Sequence, residues 1–404
     1  MRVRINHLVN SLTRQALYET VPGYVAKEVD FPTLEEQARR EYGIARLHRF
    51  DLGENAFGCT PRVREFLQSL SESDLRHYLS GYPETTGPLK ACLAEINRVP
   101  AAWIALGTGV VSFISNLCHT FYEWGDRVLL PTPTFFVIEE YVLRSGALPI
   151  YMPFAYEEGF AWTERMTDQV IHQMQCLPIK MLWLCTPNNP TGQSIPSETI
   201  ERVVRAAEES FTIVVVDEAY GEFTDDLPEY RSAARLLERH ENLIVLRSFS
   251  KAYGLAGMRV GYAMVASKVI HDALARQIEY FPVTKLSLEM ARVAAEDQGY
   301  IACTRRLTRK RLCALQAAIC GIPGFECLPT CANIFLCRHK ESSAAQLLEG
   351  LMRFGVLVAN ADIEGLRGQG WVRITCREEP DNRFLLSALK KYSAQGMGSQ
   401  AAPR

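Results

Sequence analysis

Lys251 lies in the stretch SFSKAYGLAGMRVGY, with Ser248 and Ser250 just before it and Arg259 eight residues after. Neither a core strand nor a surface helix asks for that mixture. A partly desolvated lysine beside another cation is a usable nucleophile toward a carbonyl. Two small hydroxyls and a forked guanidinium are the donors that a phosphate dianion wants. Gly254 and Gly257 are expected to let the backbone approach closely. Upstream, VVVDEAYGEF ends an apolar strand at Asp217. A carboxylate at the mouth of a buried strand needs a cation, either in a structural salt bridge or in a bound ring. CTPNNPTG sets Asn188 and Asn189 between prolines, which reads as a turn or as functional residues at a strand end. A lysine able to form an imine, a phosphate cradle and an acid for a ring nitrogen are together what pyridoxal 5'-phosphate requires.

These residues need elements to hold them. Apolar runs at 101–106, 126–131, 148–154, 179–187, 211–219, 241–249 and 259–265 read as strands, several of them continuous enough to be covered on both faces. Helical stretches lie between them, such as 197–210, for which Ser197 is the expected N-cap. That rhythm predicts an α/β fold with a mostly parallel central sheet flanked by helices. After about residue 285 the pattern changes to a basic helix at 304–319, the shorter strands ANIFLC and WVRITC, and a last helix DNRFLLSALKKY. The expected division is an N-terminal arm and helix over 1–50 packing on the small domain, and a large cofactor-binding domain over 51–285. A smaller α+β domain over 286–396 and a disordered tail over 397–404 complete it.

With 48% hydrophobic and 22% charged residues and a net charge of -2, the 404-residue chain offers no electrostatic case for nucleic acid or membrane as partner. No apolar run reaches the length of a signal peptide or a membrane span, so a cytoplasmic protein is expected. The twelve cysteines are scattered without a CxxC pair and the histidines without a ligand spacing. No metal is expected, and the thiols are expected to be reduced and mostly buried.

In chain order, VPGYV, LGENAFGCTP, GYPETTG, GTG, PTPTFF, TPNNPTG, DEAYGEF, RSFSKAYGLAGMRVGY, CANIFL and VRITC cover roughly residues 22 to 392. With them the chain resembles a class I/II aminotransferase of the fold-type-I pyridoxal-phosphate enzymes, and within that group the histidinol-phosphate aminotransferase branch. The resemblance implies that Lys251 carries the cofactor as an internal aldimine and later shuttles a proton, while Asp217 keeps the pyridinium protonated. It implies that Asn189 and Tyr220 bond the ring's phenolic oxygen and that Phe135 stacks on the ring. Gly109 and Val110 would offer amides to the phosphate, with Ser248, Ser250 and Arg259 completing the cradle. Tyr82 would reach the phosphate of the neighbouring subunit in a homodimer with shared sites. Arg373 would clamp the substrate's anionic group, and Asn333 is either a second substrate contact or part of an edge strand.

The chain also departs from that branch. GTGVVSF has Val110, Val111 and Ser112 where an acidic pair is usual. GVLVANAD has Ala359 and Asn360 where an arginine that helps bind a substrate phosphate is usual, and Gly53 and Ala56 replace the Asn and Pro of NENP. The cofactor residues are therefore complete while the substrate residues differ. An amino acid with a free carboxylate on Arg373, passing its amino group to a 2-oxo acid through pyridoxamine phosphate, is expected in place of histidinol phosphate. Glu54, beside Gly53, either packs near the domain junction or accepts a cationic side chain. The alternatives on the same fold are elimination, cyclisation, oxidation or decarboxylation, the first three on a basic, arginine-derived amino acid, or a histidinol-phosphate aminotransferase proper. A regulatory protein is a further class, but the first fifty residues lack a helix-turn-helix pattern.

Overall fold

The computed structural model describes residues 31–73, 82–278 and 281–400. The part of the expected arm before residue 31, and residues 401–404, lie outside the described residues. A short strand, β1 (His48–Arg49), precedes seven that form the central sheet. These are β2 (Ile104–Gly107), β3 (Arg127–Thr132), β4 (Leu148–Pro153), β5 (Ile179–Cys185), β6 (Ile213–Asp217), β7 (Leu243–Ser248) and β8 (Gly261–Val265). They lie in the order β2-β8-β7-β6-β5-β3-β4, parallel throughout except that β8 runs against both its neighbours. The β-branched run of β6 is buried on both faces because helices cover both sides, which is why it does not alternate with polar residues.

Register brings the chemistry together. Cys185 pairs with Asp217, Asp217 with Leu246, and Gly261 with both Ser248 and Gly107. The carboxyl ends of β5, β6 and β7 and the turns joined to β2 and β8 thus meet on one edge of the sheet. This is where α/β sheets collect their ligands.

A second, antiparallel sheet follows in the chain. β9 (Phe325–Cys327), β10 (Ile334–His339), β12 (Ala359–Asn360) and β13 (Val372–Thr375) lie in the order β12-β13-β10-β9, and β11 (Val356–Leu357) pairs with β1. Phe50, fully buried, enters the same core as Phe335, Val356, Ile374 and Leu389, and its carbonyl accepts from the Thr375 amide at 2.8 Å. Phe50 is therefore built into the core of the second sheet by apolar burial, although it precedes the first sheet in sequence.

Several expectations need correction. Ala101–Trp103 is a 3-10 turn following Pro100, so that strand begins only at Ile104. Pro196, in extended backbone, caps the helix Ser197–Glu209, and Ser197 is its first residue. The Ser197 hydroxyl donates instead to the carbonyls of Glu229 and Arg231, both at 3.0 Å. ANIFLC is not an edge strand, because β10 lies between β13 and β9. The last helix, Glu379–Gln400, continues through the start of the expected tail, since no proline interrupts it before Pro403. The thiols are free but not mostly buried: Cys118, Cys185, Cys337 and Cys376 are buried, while Cys176, Cys303, Cys313 and Cys320 are exposed on helices.

Of the two glycines expected to allow close approach, only Gly254 does so. It has φ +69°, and a Cβ there would overlap the Gly58 carbonyl, whereas a Cβ on Gly257 would meet nothing within 4 Å. Gly254→Ala should lower stability by at least about 1–2 kcal/mol, the cost of a side chain in the left-handed region before any overlap is counted. Gly257→Ala should change it far less. Urea unfolding midpoints of the two variants check this; equal midpoints would contradict it.

Candidate functional site

A cavity of about 300 Å³ opens at the carboxyl edge of the central sheet, and Lys251, Asp217, Tyr220, Ser248, Ser250 and Arg259 all line it. Each owes its place to a strand end. Asp217 is the last residue of β6, Ser248 the last of β7, and Arg259 directly precedes the start of β8. The Lys251 amine donates to the Leu52 carbonyl at 3.3 Å and lies 5.1 Å from the centre of the Tyr220 ring. The Tyr220 hydroxyl is buried without a hydrogen-bond partner among the described residues.

Asp217 is 2% exposed and accepts the Ala219 amide at 2.9 Å. Burial pushes its carboxyl from the ordinary 3.8 up to about 6; the Ala219 amide opposes this, Glu218 adds to it and the Lys251 charge opposes it. Behind it, the buried Arg247 guanidinium binds Glu218 at 3.0 Å and Asp225 at 2.8 Å, with Glu222 at 3.5 Å. Burial pushes Glu222 up to about 8 against the pull of Arg247.

The opposite end of the cavity is a cradle. The helix Val110–Phe121 opens there with Gly109 (φ +82°) as a cap that has no side chain, so its first amides face the cavity edge. Arg259 is held in the left-handed region at φ +54° and donates to the Ala256 carbonyl at 2.9 Å and, at 3.4 Å, to the Ser250 hydroxyl. The Ser250 amide in turn donates to the Ser248 hydroxyl at 3.0 Å. A Cβ at Gly109 would lie 2.6 Å from Arg259 Nη2, so only glycine leaves the guanidinium its place. A cation, two hydroxyls and free helix amides fit a phosphate dianion. A buried acid and an unpartnered phenol on the far side fit the nitrogen and phenolic oxygen of a pyridoxal ring. The residues present thus fit pyridoxal phosphate, with Phe135 beside the ring position.

The side that would meet a substrate comes from the second sheet and the chain before it. Arg373, on β13 and 3% exposed, donates to Asn189 Oδ1 at 2.7 Å and to the Asp51 carbonyl. Gly53 (φ +66°) donates to Thr375 Oγ1 at 2.9 Å, and a Cβ there would lie 2.7 Å from the Tyr220 hydroxyl. Asn333 does not line the cavity; its amide donates to the Glu54 carbonyl at 2.9 Å and the Gly53 carbonyl at 3.3 Å, so it anchors this loop. Glu54 does line it, and its carboxylate lies 3.8 Å from Arg377, a pair open enough to solvent to contribute at most about 1 kcal/mol. The side chain of Tyr82, the first residue of the helix Tyr82–Asn97, lies outside the described residues.

Leu52, Val111, Phe136 and Cys185 also line the cavity and were not anticipated. Val111 and Phe136 are the neighbours of anticipated residues, and that adjacency was the available signal. Leu52 acts through its carbonyl, which no residue type announces.

Comparison with known proteins adds the context. The sequence profile of the aminotransferase class I and II family matches residues 48–389. Histidinol-phosphate aminotransferase 2 of Archaeoglobus fulgidus is 34% identical over 342 residues, covering 84% of this chain and 91% of its own. Histidinol-phosphate aminotransferase 1 of Psychrobacter arcticus is 30% identical over 360 residues, covering 88% and 90%. The crystal structure of histidinol-phosphate aminotransferase from Sinorhizobium meliloti in complex with pyridoxal-5'-phosphate has the same fold, with a TM-score of 0.77 at 22% identity over 91% of this chain and 95% of its own.

Asp217 supplies a test that needs no turnover. Its folded carboxyl binds a proton more tightly than the unfolded one, so its contribution to stability is greatest below about pH 4 and is lost as pH rises through about 6. Asp217→Asn should therefore raise the melting temperature of the cofactor-free protein by a few degrees at pH 7.5 and change it little at pH 4. Thermal melts at the two pH values check this, and the same shift at both would contradict it.

Proposed function

We propose, for a chain that belongs to the aminotransferase class I and II family, that the substrate is an amino acid held by its free carboxylate on Arg373. The protein is an aminotransferase and uses pyridoxal phosphate, which when bound supplies an electron sink for the bond broken at the substrate's α-carbon. The remaining chemistry belongs to the chain's own residues. Lys251 is the residue whose amine would hold the cofactor, and its Nζ would carry a proton in the exchange. Asp217 holds a proton at the ring nitrogen. Asn189 accepts from Arg373 through Oδ1, so its Nδ2 would be the end left to donate to the ring's phenolic oxygen, together with the Tyr220 hydroxyl. Ser248, Ser250, Arg259 and the Val110 amide would bind the phosphate. Arg373 brings a planar guanidinium to the cavity wall, and that planar shape suits a carboxylate.

The observation that carries the substrate reading is what surrounds Arg373. Its neighbour across the sheet, Ala359, is fully buried among Leu336, Ile363, Leu366 and Trp371, and Asn360 is turned to the Asp362 amide. An apolar cluster therefore surrounds the position at which a second cation for a substrate phosphate would stand. The names of the relatives favour histidinol phosphate as the competing reading, and Glu54 in the cavity wall favours a cationic side chain on the substrate. A homodimer, with Tyr82 reaching across it, and a cytoplasmic location go with the reading. Among the described residues no helix is long and apolar enough to cross a membrane.

The deciding experiment incubates the purified holoenzyme with single amino acids and with histidinol phosphate, with and without 2-oxoglutarate, following the spectrum and the products. Amino transfer from a free amino acid is expected; higher activity on histidinol phosphate than on any amino acid would overturn the substrate reading. Borohydride should fix the cofactor covalently, and peptide mapping should find it on Lys251 and on no other lysine. Glu54→Gln should lower kcat/KM for basic relative to neutral amino acids by about 10- to 100-fold, the worth of one charge-assisted bond. Equal losses across basic, aromatic and aliphatic substrates would make Glu54 structural.

A further inference from the structure

Leu52 and Glu54 line the cavity, and the successive residues Asp51 to Glu54 meet the groups that would handle successive parts of a substrate. The Asp51 carbonyl bonds Arg373, the Leu52 carbonyl bonds the Lys251 amine, Gly53 borders the Tyr220 hydroxyl, and the Glu54 carboxylate faces Arg377. A molecule laid along this segment has its carboxylate at Arg373 and its reacting carbon at Lys251. Its far end then arrives at Glu54 and Arg377. Three residues of extended chain span no more than about 10–11 Å, which is within reach of a five-carbon dicarboxylate.

The Glu54–Arg377 pair is built to be opened. Its 3.8 Å separation is beyond hydrogen-bond distance, and both side chains keep solvent exposure, 44% and 27%. The backbone of Arg377 is nevertheless fixed, because Asn382 accepts its amide at 3.0 Å and donates to its carbonyl at 2.8 Å. Arg49, the other guanidinium close to Glu54, is spent on Asp51 through two hydrogen bonds of 3.0 and 2.7 Å. Arg377 does not itself line the cavity, but it stands 3.8 Å from Glu54, which does, and an incoming anion can recruit it by displacing that weakly held carboxylate.

We propose that Arg377 is a specificity-determining residue that binds the distal carboxylate of a dicarboxylic 2-oxo acid, the amino-group acceptor, at the end of the cavity where Glu54 meets the donor. The inference rests on the amino-transfer reading for its biological meaning. The same pair then serves both halves of the exchange: Glu54 faces a cationic or neutral donor side chain, and Arg377 faces the second carboxylate of the acceptor. One site can thus admit two molecules of opposite distal charge in turn without a large rearrangement.

Binding and kinetics test it separately. Calorimetry on the full-length holoenzyme compares glutarate with butyrate, unreactive acids that differ at the distal end. The wild type should bind glutarate about 10- to 100-fold more tightly, Arg377→Gln should bring the two within about two-fold, and Arg377→Lys should restore part of the difference. Single-turnover reaction of the aminated enzyme with 2-oxoglutarate and with pyruvate should show the same collapse in the ratio of their kcat/KM values, carried mainly by KM. No glutarate preference in the wild type, or a preference that survives Arg377→Gln, overturns the assignment. A wild-type enzyme that discriminates between the acids but transfers no amino group overturns the amino-transfer reading and leaves the distal site standing.

Discussion

A single buried guanidinium fixes the ends of the two strands on which the chemistry depends. Arg247 directly precedes Ser248 on β7 and binds Glu218, which directly follows Asp217 on β6. It also reaches Asp225 and Glu222, on the turn that carries Tyr220. A cation enclosed in the core is tolerated only with its counter-charges in good geometry, and removing it would strand carboxylates with nowhere to put their charge. The position of the acid, the phenol and the first phosphate hydroxyl is therefore set by one set of ion pairs that never touches a ligand. Gly221 follows from the same constraint, because a Cβ there would lie 3.0 Å from Arg247 Nη2.

The site in front of this cluster alternates in sign. The buried Asp217 is followed across the cavity by Lys251, then by the Arg259 cradle on one side and Arg373 on the other. Burial raises the Asp217 carboxyl to about 6, so a cation placed against it favours the ionised form and gains from doing so. The protein's own electrostatics thus favour a ligand that is positive at one end and doubly negative at the other. That description fits the ring nitrogen and phosphate of the cofactor.

Much of this was legible in the sequence, and for identifiable reasons. Continuous β-branched runs announced the covered strands, and the polar residues at their ends, Asp217, Asn189 and Ser248, fell on the edge where such sheets bind ligands. Lys251 stood out because its neighbours are donors for an anion. Long-range geometry was not legible. Nothing in LGENAFG says that Gly53 must clear the Tyr220 hydroxyl, or that Asn333 acts by holding the Glu54 backbone rather than by meeting substrate. Arg377 stayed hidden because its ion pair with Glu54 spans more than three hundred residues. Ser197 was misread for a local reason: the residue before it is a proline already in the backbone conformation of a cap. Gly257 was grouped with Gly254 by proximity, although only one of them meets another chain segment.

The residues that would hold the cofactor and those that would meet a substrate come from different parts of the chain. Gly109 to Arg259 form one uninterrupted stretch on the central sheet, whereas Asp51 to Glu54 and Asn333 to Arg377 come from the two flanks and are joined through the second sheet by Phe50 and Thr375. The molecule is in this sense modular: exchanging the flanks together, as one graft, would import a new substrate preference while leaving the machinery around Lys251 in place. Exchanging either flank alone would break the seam between β1 and β11. Recombination between related enzymes should accordingly succeed when both crossovers fall between residues 57 and 104 and between 265 and 325, and fail when only one of them does.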